Sequence, residues 1–267
     1  MLRVRDHKIE AISKVGLIEM HVNEMPAASW GDRSALALFL DIDGTLVPIA
    51  PTPAEVRPSP DLPRLLTHAA TDLGNALAIV SGREITSIDQ VTQNAVPYAA
   101  GSHGAEFRLG YGQPILRPGP QPDIAGLGSE VLALMSDWPG ILVEPKRAGL
   151  AVHYRKAPHL GQQVWSELET MLARREQSGL SLLKGDHVVE VRSPAHNKGE
   201  AVRRIMKEPA FQGRRPVFIG DDITDEDAFV VVQEMNGTAV IVGDRRPTLA
   251  THQLSSVAAV LDLLANI

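Results

Sequence analysis

The stretch Ala35-Leu36-Ala37-Leu38-Phe39-Leu40-Asp41-Ile42-Asp43-Gly44-Thr45 decides the fold. Its first six residues are continuously apolar and have the length of one strand. A strand without polar alternation is what a parallel sheet covered on both faces requires. Two carboxylates stand where the strand ends, followed by a glycine that lets the chain turn. In open α/β sheets, ligands bind at this C-terminal edge. Side chains two apart on a strand share a face, so Asp41 and Asp43 converge if the extended geometry persists. Two carboxylates about 4 Å apart repel by roughly 4 kcal/mol at an effective dielectric of 20. A cation or a proton relieves that cost, so the pair points to metal binding or acid–base work. Taken alone, Asp-x-Asp-Gly also describes a solvated acidic turn.

Three further segments weigh against the turn. The apolar run 76–80 ends at Ser81-Gly82-Arg83. The run 216–219 ends at Gly220-Asp221-Asp222 and is followed by Thr224-Asp225-Glu226-Asp227. Between them, Asn197-Lys198-Gly199 opens a helix-like stretch. Carboxylates, a hydroxyl and a lysine delivered to one sheet edge are the parts that phosphoryl transfer uses. The ordered set Asp41-x-Asp43-Gly-Thr, Ser81, Lys198 and Gly-Asp221-Asp222-x-x-Asp225 resembles the haloacid-dehalogenase-like phosphatases. That resemblance implies an α/β fold: a Rossmann-like parallel-sheet core with an inserted α/β cap domain.

Composition sets bounds. The 267 residues suit one large domain or two modest ones, and 44% hydrophobic with 22% charged residues is ordinary for a globular protein. A net charge of −6 argues against a sequence-independent nucleic-acid surface. With no cysteine, disulfides and thiolate metal sites are excluded. No apolar run reaches membrane-spanning length. Lys8, Glu10, Lys14 and Glu19 interrupt any signal-peptide apolar core. A cytoplasmic enzyme acting on a small molecule, without nucleic-acid or membrane partners, is the expectation.

Strands near 35–41, 75–80, 96–100, 216–219 and 238–242 alternate with helical patterns near 60–73, 84–93, 198–208, 225–234 and 256–265. Such alternation implies a parallel sheet with right-handed crossovers. The middle has another rhythm. A helix over 123–135 precedes strands at 141–144 and 150–155. A helix over 159–177 then precedes strands at 180–183 and 187–192, joined by a turn at Lys184-Gly185-Asp186. Hairpin-linked strands are antiparallel. Pro114, Pro118, Pro120 and Pro122 punctuate the way in and Pro194 the way out. The reading is an N-terminal extension over 1–33, core over 34–113, an inserted cap over 114–194, and core again over 195–267. In the extension, Ile9, Ile12 and Val15 have roughly helical spacing that Gly16 weakens, and no chemistry is visible.

The resemblance implies roles. Asp41 is the nucleophile, forming an acyl phosphate. Asp43 is general acid and then general base, a role worth typically about 10² to 10⁴ in rate. Ser81 donates to a phosphoryl oxygen, although its spacing to Glu84 equally suits a helix cap. Lys198 neutralises the phosphoryl group and Asp41. Asp221 completes a Mg²⁺ site with Asp41 and the backbone carbonyl of Asp43, since Mg²⁺ prefers oxygen ligands. Asp225 serves as an additional ligand or as support, and Asp222 as support; acidic residues at 225–227 also suit a helix N-terminus. Arg83 and His103 are candidates for substrate contact, with a buried, hydrogen-bonded histidine an equal reading of His103.

Within the cap, Glu144 and Lys146 share one strand face, as do His153 with Arg155 and Glu190 with Arg192. A mixture of carboxylates and cations matches sugar hydroxyls, which donate and accept; an ordinary solvated sheet face has the same pattern. Gly101-Ser102-His103-Gly104-Ala105-Glu106, the stretch from Val143 to Arg155, Glu190-x-Arg192 and the run 220–227 resemble the trehalose-6-phosphate phosphatases. This narrower resemblance spans 35–265. It implies sugar contacts at Glu144, Lys146, Arg155, Lys184 and Glu190, and Mg²⁺ as cofactor. Competing expectations are a phosphatase acting on sucrose phosphate or mannosyl phosphoglycerate, and a non-catalytic sugar-phosphate sensor.

Overall fold

The computed structural model describes residues 23–24, 32–50, 55–118, 124–146, 149–175, 179–185 and 187–267. The helical spacing at Ile9, Ile12 and Val15, together with Pro120, Pro122 and Asp186, lies outside the described residues. In chain order the strands are β1 (Asn23–Glu24), β2 (Leu36–Leu40), β3 (Leu77–Val80), β4 (Tyr98–Gly101), β5 (Glu106–Leu109), β6 (Leu142–Lys146), β7 (Gly149–His153), β8 (Ser181–Gly185), β9 (Val188–Arg192), β10 (Arg215–Gly220), β11 (Thr238–Val242) and β12 (His252–Leu254). The helices are α1 (Leu62–Asp72), α2 (Ile85–Thr92), α3 (Ile124–Met135), α4 (Gly161–Ala173), α5 (Lys198–Ile205), α6 (Glu226–Glu234) and α7 (Val257–Ala265).

The core sheet has the order β1-β12-β11-β10-β2-β3-β4-β5, parallel throughout except for the β4–β5 pair at one edge. Alternation along β2 explains why the run 35–40 had to be wholly apolar. Leu36, Leu38 and Leu40 enter one apolar cluster with α1 and α7, while Ala37 and Phe39 enter another with α5 and α6. All five strand residues are buried. Two buried faces leave no place for a polar side chain until the strand ends, so Asp41 is the first.

The second sheet, β6-β7-β9-β8, is antiparallel and belongs to residues inserted between β5 and α5. Leu150, Val152, Val189 and Val191 face α3 and α4, where Leu127, Val131, Val164 and Leu168 complete a third core. The other face carries Glu144, Lys146, His153 and Glu190. Pro145 lies within β6, an edge strand, where a missing ladder donor is tolerated.

Four details differ from expectation. β5 follows the turn at 102–104 and pairs antiparallel with β4; Glu106 and Arg108 hid its apolar pattern, yet both are buried. β1 and β12 are two and three residues long and largely polar, too short for periodicity to register. The helix placed at 159–177 is shorter, with a 3-10 turn at Pro158–Leu160 and α4 ending at Ala173. β8 runs on through Lys184 and Gly185, where the sequence suggests a turn.

Candidate active site

β10, β2 and β3 are immediate neighbours, and adjacent strands lie about 4.8 Å apart. The residues that follow them therefore emerge side by side: Asp221, Asp41 and Ser81. The Asp41 N–H continues the ladder to the Ile219 carbonyl at 3.0 Å, and the Ser81 N–H to Ala100 at 3.0 Å. Gly44 turns the loop with φ +79°, and a Cβ there would lie 2.0 Å from Asp221 Oδ2. The bare backbone is what lets the two acidic loops meet. The buried Thr45 hydroxyl donates to Asp221 Oδ1 at 3.3 Å.

Lys198 stands at the first turn of α5, whose Asn197 side chain accepts from the Glu200 N–H at 2.9 Å. Lys198 is buried, with Nζ 2.9 Å from Asp41 Oδ2 and 2.7 Å from Asp225 Oδ1. Burial would lower its pKa, but the Asp225 and Asp41 carboxylates outweigh that and hold it above the usual lysine range. Asp41 is pushed up by burial against the pull of Lys198, and Asp221 is pushed up by burial and by the Asp41 and Asp225 carboxylates.

Asp41, Asp221 and Asp225 each bring one oxygen within 4.8 Å of the others. Asp41 Oδ1 is buried and has no hydrogen-bond partner among the described residues. An orphaned oxygen among crowded carboxylates fits a hard divalent cation, which prefers oxygen ligands. Asp225 has both oxygens engaged, Oδ1 by Lys198 and Oδ2 by the N–H groups of Asp221 at 3.0 Å and Asp222 at 2.9 Å. Those bonds suit it to holding the loop rather than to direct ligation. Asp222 takes part in a reciprocal cap with Asp225 at the turn before α6.

Arg83 reaches Asp43 with a two-point fork, Nε to Oδ2 and Nη2 to Oδ1, each 2.6 Å. The expected capping box from Ser81 to Glu84 does not carry α2; the Ile85 N–H donates instead to Glu106 Oε2 at 3.0 Å.

These groups floor a cavity of about 480 Å³, within the usual range for small-molecule sites. Asp41, Asp43, Ser81, Arg83, His103, Lys198, Asp221 and Asp222 line it from the core. Glu144, Lys146, His153, Arg155 and Glu190 line it from the second sheet. His153 Nε2 lies 2.8 Å from Glu144 Oε2, and Lys146 Nζ lies 2.8 Å from Glu190 Oε1. The His153 bond holds the Glu144 carboxyl below its usual range. Burial would raise the Glu190 carboxyl, but Lys146 and His103 outweigh it and hold it well below that range. His103 Nε2 approaches Glu190 Oε2 to 2.9 Å without an aligned hydrogen bond, and burial drives the imidazole down to about 4.

A family model described as trehalose-phosphatase matches residues 39–257. The chain belongs to the trehalose-phosphatase family. That match takes in every residue just placed around the cavity. A probable trehalose-phosphate phosphatase of Sinorhizobium fredii is 39% identical over 226 residues, 85% of this chain and 84% of that one. The trehalose-6-phosphate phosphatase of Escherichia coli is 36% identical over 236 residues, 86% of each. Among solved structures, the C-terminal domain of the Candida albicans trehalose-6-phosphate phosphatase superposes with a TM-score of 0.80 at 23% identity, covering 92% of this chain and 98% of that one. A haloacid dehalogenase-like hydrolase from Bacteroides thetaiotaomicron gives 0.63 at 13% identity, covering 86% and 98%. The α/β core with an inserted cap is thus the fold of the family's structural relatives.

Lys184 needs correction. Its neighbours Leu183 and Gly185 line the cavity, whereas Lys184 pairs with Val189 and is exposed on the helix side of the cap sheet. Strand alternation forbids it from sharing their face. Two contributors went unnoticed in the sequence: Arg245, and the apolar group Ile49, Ala50 and Val56. Arg245 donates to the Asp221 carbonyl at 3.0 Å and pairs with Glu226. His153 orients Glu144, and Ile49, Ala50 and Val56 give the cavity an apolar wall. Ile49 is 55% exposed, and a large apolar side chain at a cavity mouth has no fold-level pattern to announce it.

Proposed function

We propose that this protein hydrolyses trehalose 6-phosphate to trehalose and phosphate through a phospho-Asp41 intermediate, with Mg²⁺ as cofactor. The observation that carries the reading is Asp41 itself: buried at the cavity floor, one oxygen on Lys198 and the other without a partner among the described residues. Asp41, Asp221 and the backbone carbonyl of Asp43 would hold Mg²⁺, with Asp225 and Asp222 supporting them. The ion supplies charge neutralisation of the phosphoryl oxygens. An Asp41 oxygen forms the new bond to phosphorus while the bond from phosphorus to the sugar O6 breaks. Asp43 gives its proton to that leaving oxygen and then takes one from the water that opens the acyl phosphate, releasing phosphate and restoring Asp41. Asp43 must leave the Arg83 fork to reach the leaving oxygen, which frees the guanidinium for substrate. Ser81 and Lys198 hold the phosphoryl group, and Lys198 also keeps Asp41 aligned.

Residues 114–194 are read as the cap, with Glu144, Lys146, Arg155, Glu190 and His103 meeting the sugar hydroxyls. The setting is taken to be cytoplasmic. Phosphate release from trehalose 6-phosphate, sucrose 6-phosphate, mannosyl phosphoglycerate and glucose 6-phosphate, with Mg²⁺ and with chelator, tests the reading. Trehalose 6-phosphate should lead and chelation should stop turnover. Asp41→Asn should keep the fold and lose turnover; near-normal activity in that variant would refute the nucleophile.

A further inference from the structure

The loop 81–85 carries Ser81 and Arg83, and it rests on the segment 101–106. Ser102 donates its N–H to the Arg83 carbonyl at 2.8 Å, and His103 to the Ser81 carbonyl at 2.9 Å. The fit is close enough that a Cβ on Gly101 would stand 2.8 Å from both the Arg83 carbonyl oxygen and the Ile85 nitrogen. Glu106 closes this support. Its side chain is 2% exposed, and its Oε2 accepts the Ile85 N–H at 3.0 Å. Its other oxygen, Oε1, accepts from Arg117 Nε at 2.9 Å.

Arg117 does not belong to the core sheet. It lies on the segment leading into the cap, which runs beside β5 through the Phe107 N–H to the Leu116 carbonyl at 2.9 Å and the Leu116 N–H to the Phe107 carbonyl at 2.7 Å. One buried carboxylate therefore touches two things with different jobs: the start of the helix behind the phosphate loop, and the linker on which the cap is hung. A buried carboxylate is costly unless its oxygens are satisfied, and here one partner lies on each side.

We propose that Glu106 is a positioning residue that couples the incoming cap linker to the loop carrying Ser81 and Arg83, with Arg117 as its partner on the linker. This rests on the reading of 114–194 as a cap over the substrate. When the linker moves, Arg117 draws on one oxygen of the carboxylate whose other oxygen fixes Ile85, so the loop's placement follows that of the cap.

Hydrogen–deuterium exchange and steady-state kinetics on the full chain test it together. Arg117→Ala should speed amide exchange across 81–88 several-fold. It should lower kcat on trehalose 6-phosphate by about tenfold, a size that small misplacements far from the chemistry readily produce. Hydrolysis of 4-nitrophenyl phosphate, which has no sugar for the cap to grip, should stay within about twofold of wild type. Arg117→Lys keeps a donor for Glu106 and should restore most of the loss. Glu106→Ala should speed the same exchange and slow both substrates. If Glu106→Ala fails to fold, Arg117→Ala decides alone, since its side chain is one-third exposed. Unchanged exchange at 81–88 in Arg117→Ala, or equal losses on both substrates, would overturn the coupling. If wild-type protein leaves trehalose 6-phosphate untouched, the substrate reading fails, and the exchange arm still decides whether Glu106 couples linker and loop.

Discussion

Lys198 shows how one residue would serve stability and the proposed chemistry at once. It is buried between Asp41 and Asp225. Removing one member of a buried ion pair typically costs about 3–5 kcal/mol, because an uncompensated charge stays behind. Lys198→Ala should therefore abolish turnover and also lower the midpoint of chemical denaturation. Lys198→Met combined with Asp225→Asn should recover part of the stability and none of the activity. His103 makes a different prediction. Burial holds its folded pKa near 4, against an ordinary value of 6.5, with Glu190 pulling it up and Arg192 and Lys198 pushing it down. The unfolded chain takes up a proton below 6.5 that the folded chain refuses until about 4. This group's contribution to stability is thus full above 6.5 and lost as pH falls from 6.5 to 4. Thermal melts of wild type and His103→Gln should differ less at pH 5 than at pH 7.

At the scale of the element, the cap strands divide labour by alternation. Val152, Val189 and Val191 hold the cap to its helices, while Glu144, Lys146, His153 and Glu190 face the cavity. A site built to bond hydroxyls rejects analogues that leave its polar groups unpaired, by up to about 10⁴ to 10⁵. Glu144→Ala should weaken use of trehalose 6-phosphate far more than use of an aryl phosphate; equal loss on both would make Glu144 a structural residue. The strand ends were legible because an apolar run buried on both faces must stop where its first carboxylate stands, as at Asp41 and Asp221. The facing of β6 and β9 was legible from period-two alternation. Lys184 was misplaced for the same reason in reverse: with a turn read at 184–186, its facing was not fixed, whereas the strand assigns it to the Val189 side. Arg245 and Arg117 escaped notice, and Glu106 entered only as part of a motif, because their partners lie 11 to 24 residues away in loops and short strands, where no periodicity links them.

At the scale of the whole molecule, core and cap each have an apolar interior of their own, and between them lies a cavity lined by charged groups beside the apolar wall of Ile49, Ala50 and Val56. Few apolar contacts hold such a seam shut, so relative motion of the two bodies is the expected behaviour. The seam is crossed by the approach of His103 to Glu190, and on the return path the Arg192 guanidinium donates to the His196 carbonyl at 2.5 Å. On the proposed function, a disaccharide phosphate would join the halves, its phosphoryl end on the core and its hydroxyls on the cap, and closure over it would exclude bulk water and strengthen the site's electrostatics. Ligand should therefore favour the closed arrangement in proportion to its extra contacts there. Small-angle scattering should show a smaller radius of gyration with Mg²⁺, a phosphate mimic and trehalose together than with Mg²⁺ alone. The phosphate mimic without sugar should produce little of the change, because the core alone can hold it. Glu190→Ala, which removes the cap's approach to His103 and its pairing with Lys146, should reduce the compaction even at saturating ligand. Identical profiles with occupancy demonstrated by calorimetry would mean that the cap is fixed over the core and that substrate enters through the open mouth beside Ile49.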